Sequence, residues 1–83
     1  MHPPVIRVSL FAGMAEAAGC RRLDVAWQGG TVADLRAAVA RECPAVVPLL
    51  VRSAIAVDGR YAPDAAMVSA GADVAVIPPV SGG

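Results

Sequence analysis

The sequence predicts an α+β fold in which one main helix packs across one mixed β-sheet. Residues 5–11, 21–27 and 73–77 alternate between larger apolar side chains and polar or small ones, as strands with one buried face do. Between them, residues 31–43 carry apolar side chains at helical spacing. With 83 residues, the chain has the length of one compact domain spanning residues 1–83, and its 57% apolar composition can supply a dense core.

Two segments near the start of the chain predict neighbouring strands. The short, alanine-rich connection between them ends at Gly19 and has room for about one helical turn. The apolar side chains that share one face are Ile6, Val8 and Leu10 in the first segment and Leu23, Val25 and Trp27 in the second. Because the link between the segments is short, we expect the two strands to pair antiparallel.

The main helix is predicted to begin after Thr31 and to end before Pro44. Thr31 is a favoured N-cap residue, and Asp34 stands three residues later, so the pair forms a capping box with aspartate in place of glutamate. One apolar stripe follows this helix and consists of Val32, Leu35, Val39 and Cys43. Pro44 should end the helix because its ring and its missing N–H do not fit a further turn.

The second half of the chain predicts short strands. Residues 45–52 are apolar and compatible with one or two helical turns broken by Pro48, and residues 53–57 form a short strand. Asp58-Gly59 predicts a tight turn, after which Arg60-Tyr61 begins a return strand. Residues 73–77 form the last strand, which completes the mixed sheet.

The charge composition gives no indication of nucleic-acid binding. Seven basic and seven acidic residues give zero formal net charge, and all seven basic residues are arginine. A nucleic-acid binder usually shows a basic surplus or stripe. No segment has the pattern of a signal peptide or a membrane span. We therefore expect a soluble, cytoplasmic protein that binds neither nucleic acid nor membranes.

The sequence offers no residue set for a zinc site or for an enzyme that acts alone. Cys20 and Cys43 form no CxxC pair, and His2 is the only histidine. We expect two buried, reduced thiols, no metal and no bound cofactor. The serines have no histidine partner at a useful spacing, and residues 29–31 (Gly-Gly-Thr) are no phosphate loop.

The last six residues, 78–83, form a tail with a chemistry of its own. Pro78 and Pro79 cannot donate to a β-ladder, so the sheet should end at them. Six extended residues reach about 20 Å at about 3.3 Å each, enough to enter a channel in a partner protein. Gly82 and Gly83 have no side chains, so the tail can pass a narrow opening and present an unhindered carboxylate. A terminal glycine pair arises by chance in roughly 0.5% of chains. Its place after the last strand and two prolines of a small one-helix domain favours a function over a frayed terminus that happens to end in glycine.

Several short motifs in this chain occur together in one known family. They are Val8-Ser9-Leu10-Phe11-Ala12, Glu16 with Gly19, Thr31-Val32-Ala33-Asp34-Leu35-Arg36, Ala56-Val57-Asp58 and Pro78-Pro79-Val80-Ser81-Gly82-Gly83. Through these motifs the chain resembles the ubiquitin-like β-grasp sulfur carriers, and most specifically the small subunit of molybdopterin synthase. Two positions depart from the family's pattern, since Ala15 replaces a frequent basic residue and Asp58 a frequent asparagine.

The resemblance implies a function centred on Gly83, supported by Gly82. In that family an adenylating enzyme of the ubiquitin-activating type uses ATP to convert the terminal glycine to an acyl-adenylate, and a sulfur donor then displaces AMP to leave a thiocarboxylate. The small subunit docks on the large subunit and delivers its sulfur to cyclic pyranopterin monophosphate, which becomes the dithiolene that holds molybdenum. The resemblance thus implies a sulfur-donating co-substrate whose partners supply the catalytic side chains.

The strand faces and the resemblance together predict a docking surface. The side chains expected to meet the helix are Ile6, Val8, Leu10, Val74 and Val76. That leaves Phe11 and Ile77 on the opposite face, with Tyr61 at the start of the return strand. The family's partner-facing apolar positions correspond to these three residues. The partner-binding set is completed by the tail residues Pro78, Pro79, Val80 and Ser81.

Two other functions stay open at the level of the sequence. One is a sulfur carrier for thiamine or for another sulfur-containing metabolite, whose relatives share the glycine pair but usually lack the Pro-Pro-Val-Ser segment before it. The other is a ubiquitin-like modifier that is joined through Gly83 to lysines of target proteins.

Overall fold

The computed structural model describes residues 4–79. Within that part of the chain the strands are β1 (Val5–Leu10), β2 (Arg22–Ala26), β3 (Gly30–Thr31), β4 (Ala54–Val57), β5 (Arg60–Tyr61), β6 (Met67–Val68) and β7 (Asp73–Ile77). Five of them form one mixed sheet in the order β2-β1-β7-β4-β5, and β3 pairs with β6 in a separate two-stranded ladder. The predicted α+β architecture with one mixed sheet is therefore confirmed.

The centre of the large sheet is a parallel pair of strands. Strand β1 runs parallel to β7, with Leu10 beside Val76, whereas β1–β2, β4–β7 and β4–β5 are antiparallel. Because β1 and β7 run in the same direction, their carboxyl ends lie at the same end of the sheet. The chain therefore leaves β1 at Phe11 and β7 at Pro78 side by side.

Within the described residues three helices accompany the sheet: α1 (Ala12–Ala18), α2 (Val32–Glu42) and α3 (Val47–Leu50), the last preceded by a 3₁₀ turn at Pro44–Val46. Helix α1 is longer than the single turn predicted. It buries Met14 completely, and it is followed by its C-cap Gly19 in the left-handed conformation (φ 76°). The expectation that Pro48 breaks the turns in this segment is wrong, because Pro48 is the second residue of α3, where its missing N–H is not needed.

Helix α2 begins with the predicted capping box. The Asp34 N–H donates to Thr31 Oγ1 at 3.1 Å, and the Thr31 N–H donates to Asp34 Oδ2 at 3.0 Å. The hydrogen bond from the Thr31 N–H, and after it the interaction with the Thr31 side chain, hold the pKa of the Asp34 carboxyl below its ordinary value. The predicted apolar stripe is confirmed, except that Cys43 is only half-buried because it follows the last helical residue.

The core lies between the helices and one face of the large sheet. Its fully or almost fully buried side chains include Ile6, Val8, Leu10, Val25, Ile55, Val74 and Val76 from the sheet and Met14, Val32, Leu35, Val39, Val46 and Leu50 from the helices and the 3₁₀ turn. The predicted inward faces of β1 and β7 are thus confirmed. Each such aliphatic side chain contributes about 1.5–3 kcal/mol when it is buried.

The small β3–β6 ladder was not predicted. Each of its strands has two residues, which is too short for an alternating pattern, and tertiary contacts hold it together. The indole Nε1 of buried Trp27 donates to the Val68 carbonyl at 3.2 Å. Gly30 fits here because a Cβ at its position would lie 2.9 Å from Asp34 Oδ2 and 3.2 Å from the Trp27 ring.

The expectation of two buried thiols is wrong for Cys20. This residue is exposed, whereas Cys43 is half-buried. Cys20 follows the left-handed Gly19, and its N–H still bonds to the Ala15 carbonyl at 3.2 Å, so it sits in the turn that leads into β2. The helices described in residues 4–79 include none long and apolar enough to cross a membrane.

Candidate functional site

The side of the large sheet that faces away from the core carries the predicted docking residues, and we call it the open face. Its middle row crosses all five strands, as the pairing register shows. From edge to edge this row consists of Arg22, Ser9, Ala75, Ala56 and Tyr61. Three small residues therefore form a shallow floor between a cationic side chain at one edge and an aromatic side chain at the other.

The next row of the open face lies at the carboxyl ends of β1 and β7, where the tail leaves the sheet. Ile77 pairs with Ala54, and Phe11 follows Leu10, the partner of Val76, so Phe11 and Ile77 occupy neighbouring strand ends. Phe11 is 51% exposed and Ile77 is half-buried. The structure thus brings two of the predicted apolar residues together at the root of the tail.

Tyr61 lies on the same face but farther away. It pairs with Ala56, two residues along β4 from the Ala54 that pairs with Ile77, so strand β4 separates the two side chains. Tyr61 is 71% exposed. The prediction that Phe11 and Ile77 lie on the face away from the helix is confirmed, and the register adds Tyr61 to that face. The contact of these three residues with a partner stays a prediction.

The third row, farther from the tail than the middle row, is charged, and beyond it lies only the exposed pair of Val5 and Ala26 among the described strand residues. Arg7 lies between Asp24 and Asp73 in the register, and its Nε is 3.3 Å from Asp24 Oδ1. The described residues include no group of three His, Cys, Asp or Glu side chains placed to hold a metal ion. The open face is therefore apolar and cationic near the tail and carries its carboxylates farther from it.

A sharp corner fixes Phe11 at the tail end of the open face. Phe11 is both the residue after β1 and the N-cap of α1, and its carbonyl accepts the Met14 N–H at 3.0 Å. Ala12 has φ 49°, a left-handed backbone conformation that residues other than glycine rarely adopt. The chain therefore turns abruptly toward the helices while Phe11 keeps the strand alternation that places it on the open face.

The root of the tail is built by the last residue of β7 and the prolines that follow it. Strand β7 ends at Ile77, as predicted, and Pro78 is half-buried whereas Pro79 is exposed. The remaining tail residues predicted to act, Val80, Ser81, Gly82 and Gly83, lie outside the described residues. Their roles are therefore inferred from the sequence.

Sequence reasoning missed the residue that secures the strand beside the tail. Arg36 donates from Nη1 to the Leu50 carbonyl and from Nη2 to the Ser53 carbonyl, each at 2.8 Å, and from Nε to Asp64 Oδ1 at 3.0 Å. Ser53 directly precedes Ala54, the partner of Ile77. In the sequence Arg36 is simply a polar residue off the apolar stripe, and no local signal shows these distant acceptors.

The departure of Asp58 from the family's pattern is structurally conservative. Its N–H donates to the Asp73 carbonyl at 2.7 Å, and its Oδ1 accepts the Asp73 N–H at 2.9 Å. Asp58 and Gly59 have φ values of 50° and 82°, as the predicted tight turn between β4 and β5 requires. An asparagine can make the same two hydrogen bonds, because its side-chain oxygen occupies the same place.

Comparison with known proteins identifies the family. The model of the ThiS family matches residues 8–83. This chain belongs to the ThiS family. The chain is therefore a sulfur carrier or a ubiquitin-like modifier of that family, as the sequence predicted. No curated protein gives a significant match.

Solved structures with the same ubiquitin-like β-grasp fold confirm the predicted architecture of this ThiS-family chain. SAMP1 from Haloferax volcanii is 30% identical with a TM-score of 0.83, and the match covers 95% of this chain and 99% of that one. A second structure of small archaeal modifier protein 1 from H. volcanii is 28% identical with a TM-score of 0.82, over 93% of this chain and 99% of that one. The putative molybdopterin converting factor, subunit 1, from Pyrococcus furiosus is 24% identical with a TM-score of 0.78 over the same shares, a similarity of fold.

Proposed function

We propose that this ThiS-family chain is the sulfur-carrying small subunit of a molybdopterin synthase and that its sulfur is held at Gly83. The observation that supports this most is the coincidence of two features at one edge of the sheet. Exposed Phe11 and half-buried Ile77 form an apolar surface there, and the Pro-Pro-Val-Ser-Gly-Gly segment leaves from the same edge. A docking surface at the root of a narrow tail is what a carrier needs to place its last residue in a partner's active site.

The chemistry begins with activation, because a carboxylate is a poor electrophile. The Gly83 carboxylate attacks the α-phosphorus of ATP in the adenylating enzyme, and pyrophosphate leaves. A sulfur donor at the oxidation level of hydrosulfide then attacks the carbonyl carbon and expels AMP, which leaves a thiocarboxylate. The missing side chains of Gly82 and Gly83 favour both steps, since no side chain crowds the carboxylate as it attacks or the carbonyl carbon as it is attacked.

Delivery of the sulfur takes place on the large subunit. The open face docks through Phe11, Ile77 and Tyr61, and residues 78–83 enter the active-site channel of that subunit. There the thiocarboxylate sulfur attacks a carbon of cyclic pyranopterin monophosphate and displaces an oxygen substituent. Water then hydrolyses the acyl–sulfur bond, which leaves the sulfur on the acceptor and returns Gly83 to the carboxylate form for another cycle. The catalytic side chains belong to the large subunit, and this chain contributes the sulfur, the reach of the tail and the docking face.

Reconstitution tests this function directly. The thiocarboxylated chain is mixed with the large subunit and cyclic pyranopterin monophosphate, and the dithiolene product and the mass of the chain are followed together. We expect dithiolene formation with loss of the added sulfur from the chain. In a parallel reaction the thiazole-forming enzyme of thiamine synthesis replaces the large subunit. Sulfur transfer only in that second reaction would contradict the molybdenum role and support a thiamine carrier.

A ubiquitin-like modifier is the second candidate, favoured by the 30% identity to SAMP1 from H. volcanii over nearly the full length of both chains. In that function a lysine amine of a target attacks the activated Gly83 carbonyl and forms an isopeptide bond. Incubation of the tagged chain with ATP and extract of its own cells distinguishes the two functions. Adducts that survive strong reductant would support the modifier, and their absence alongside active sulfur transfer would support the carrier.

A further inference from the structure

A shallow pocket lies at the corner of the open face beside Phe11. Its volume is about 440 Å³. It is lined by Ser9, Leu10, Phe11, Ala12, Ala15, Arg21 and Arg22. The pocket thus joins the apolar surface at the root of the tail to two consecutive arginines at the start of β2.

Both arginines of this pocket lack a side-chain partner among residues 4–79. Arg22 lies beside Ser9 in the middle row, and the Arg21 carbonyl accepts the Leu10 N–H at 2.8 Å, which fixes the backbone that carries both side chains. The ion pairs within residues 4–79 are Arg7–Asp24 and Arg36–Asp64, so neither Arg21 nor Arg22 has an acidic partner there. Two unpaired guanidinium groups beside an aromatic ring form a site that favours carboxylates.

The charges of the open face are unevenly distributed between its two ends. The carboxylates of the open face, Asp24 and Asp73, lie in the far row with Arg7 between them. The chain as a whole has zero formal net charge, so attraction of a charged partner depends on this local asymmetry. An acidic partner surface is attracted to the tail end of the face and repelled from the other end, which orients the tail during the encounter.

We propose that the Arg21–Arg22 pocket receives a carboxylate-bearing segment of the adenylating enzyme that activates Gly83. This inference rests on the proposed function, but only on the activation step that the carrier and the modifier share. That enzyme must capture the free chain from solution, and attraction between opposite charges raises the rate of this association. Contact of an acidic side chain with the arginines, next to an apolar group over Phe11, would fix the sheet while the tail reaches the ATP site.

The test measures pyrophosphate release by the adenylating enzyme of the same organism, with ATP and increasing concentrations of the chain. The variant is Arg21→Glu/Arg22→Glu, and the control is Arg60→Glu, an arginine on edge strand β5 at the end far from the tail. We expect the double variant to raise KM about tenfold or more with kcat unchanged, since like charges then face each other in the complex. Added salt should raise KM for the wild type and lower it for the double variant.

Each other outcome has a distinct meaning. No pyrophosphate release from the wild-type chain would contradict the proposed function itself. Normal release with the same KM in the wild type, the double variant and Arg60→Glu would overturn the pocket assignment alone. A pocket that binds small anions instead would show inorganic phosphate raising the wild-type KM more than chloride does at equal ionic strength, and that result would also overturn it. Equal KM increases in the double variant and in Arg60→Glu would mean that overall charge, not this pocket, controls capture.

Discussion

The guanidinium Nη2 of Arg36 lies 2.8 Å from the carbonyl oxygen of Ser53, the residue just before β4. A second donor of the same side chain, Nη1, lies 2.8 Å from the Leu50 carbonyl at the end of α3. The side chain of Arg36 is only 24% exposed, so water competes weakly for these two contacts. Helix α2 thereby holds in place the strand whose first residue, Ala54, pairs with Ile77 at the root of the tail.

Replacing Arg36 should therefore destabilise the protein. We expect Arg36→Ala to lower the free energy of unfolding by about 1–3 kcal/mol, because two partly buried carbonyl groups lose their donors. The ion pair with Asp64 should contribute little, since Asp64 is 66% exposed. Urea unfolding measures the change, with Arg41→Ala in the exposed last turn of the same helix as the control, expected within about 0.5 kcal/mol of wild type. Equal losses in both variants would show that the Arg36 contacts contribute nothing specific.

The sequence predicts the sheet, the main helix and the two sides of the sheet because these depend on local patterns. Alternation of apolar residues is enough to separate buried Val74 and Val76 from Ala75 and Ile77. The Arg36 contacts and the β3–β6 ladder could not be predicted, since they join residues distant in the chain with no periodic pattern.

The candidate site was predictable only in part, for a related reason. Alternation places Phe11 and Ile77 on one face, but only the register of the strands shows that Arg22 lies in the same row as Tyr61. Register depends on the turns and on pairing between distant strands. The cationic pocket beside Phe11 therefore becomes visible only in the folded structure.

The apolar surface at the root of the tail should supply much of the affinity for the large subunit. Phe11→Ala and Ile77→Ala should each weaken binding by about 2 kcal/mol, roughly thirtyfold in Kd, because buried apolar groups at the centre of an interface contribute that much. Met67→Ala is the matched control, since Met67 is 71% exposed but lies on β6, outside the large sheet. Calorimetric titration measures Kd, and a melt of each variant alone shows that it is folded. An unchanged Kd for Phe11→Ala would remove Phe11 from the interface.

The capping box at the start of α2 should make stability depend on pH in the acidic range. The hydrogen bond from the Thr31 N–H, followed by the interaction with the Thr31 side chain, lowers the pKa of Asp34 in the folded protein below its ordinary value of 3.8. The charged carboxylate thus adds stability that is fully present above that value and is lost as the pH falls through the lowered pKa. Asp34→Asn keeps an acceptor oxygen without the charge, so its stability deficit relative to wild type should shrink in acid. Urea unfolding at neutral pH and below about pH 3 measures this, and a deficit that stays constant would contradict it.

The central claim is that Gly83 accepts sulfur, and intact-mass spectrometry tests it most directly. The chain is incubated with the adenylating enzyme, ATP and a sulfur donor, and its mass is compared with that of a Gly83 deletion variant treated identically. The account predicts that the wild type gains the mass difference between one sulfur and one oxygen atom, located by fragmentation at Gly83. The deletion variant should stay unmodified and should keep its stability within about 0.5 kcal/mol, since it loses only one terminal residue without a side chain. A wild-type chain that keeps its original mass, or that gains sulfur at Cys20 instead of Gly83, would contradict the account.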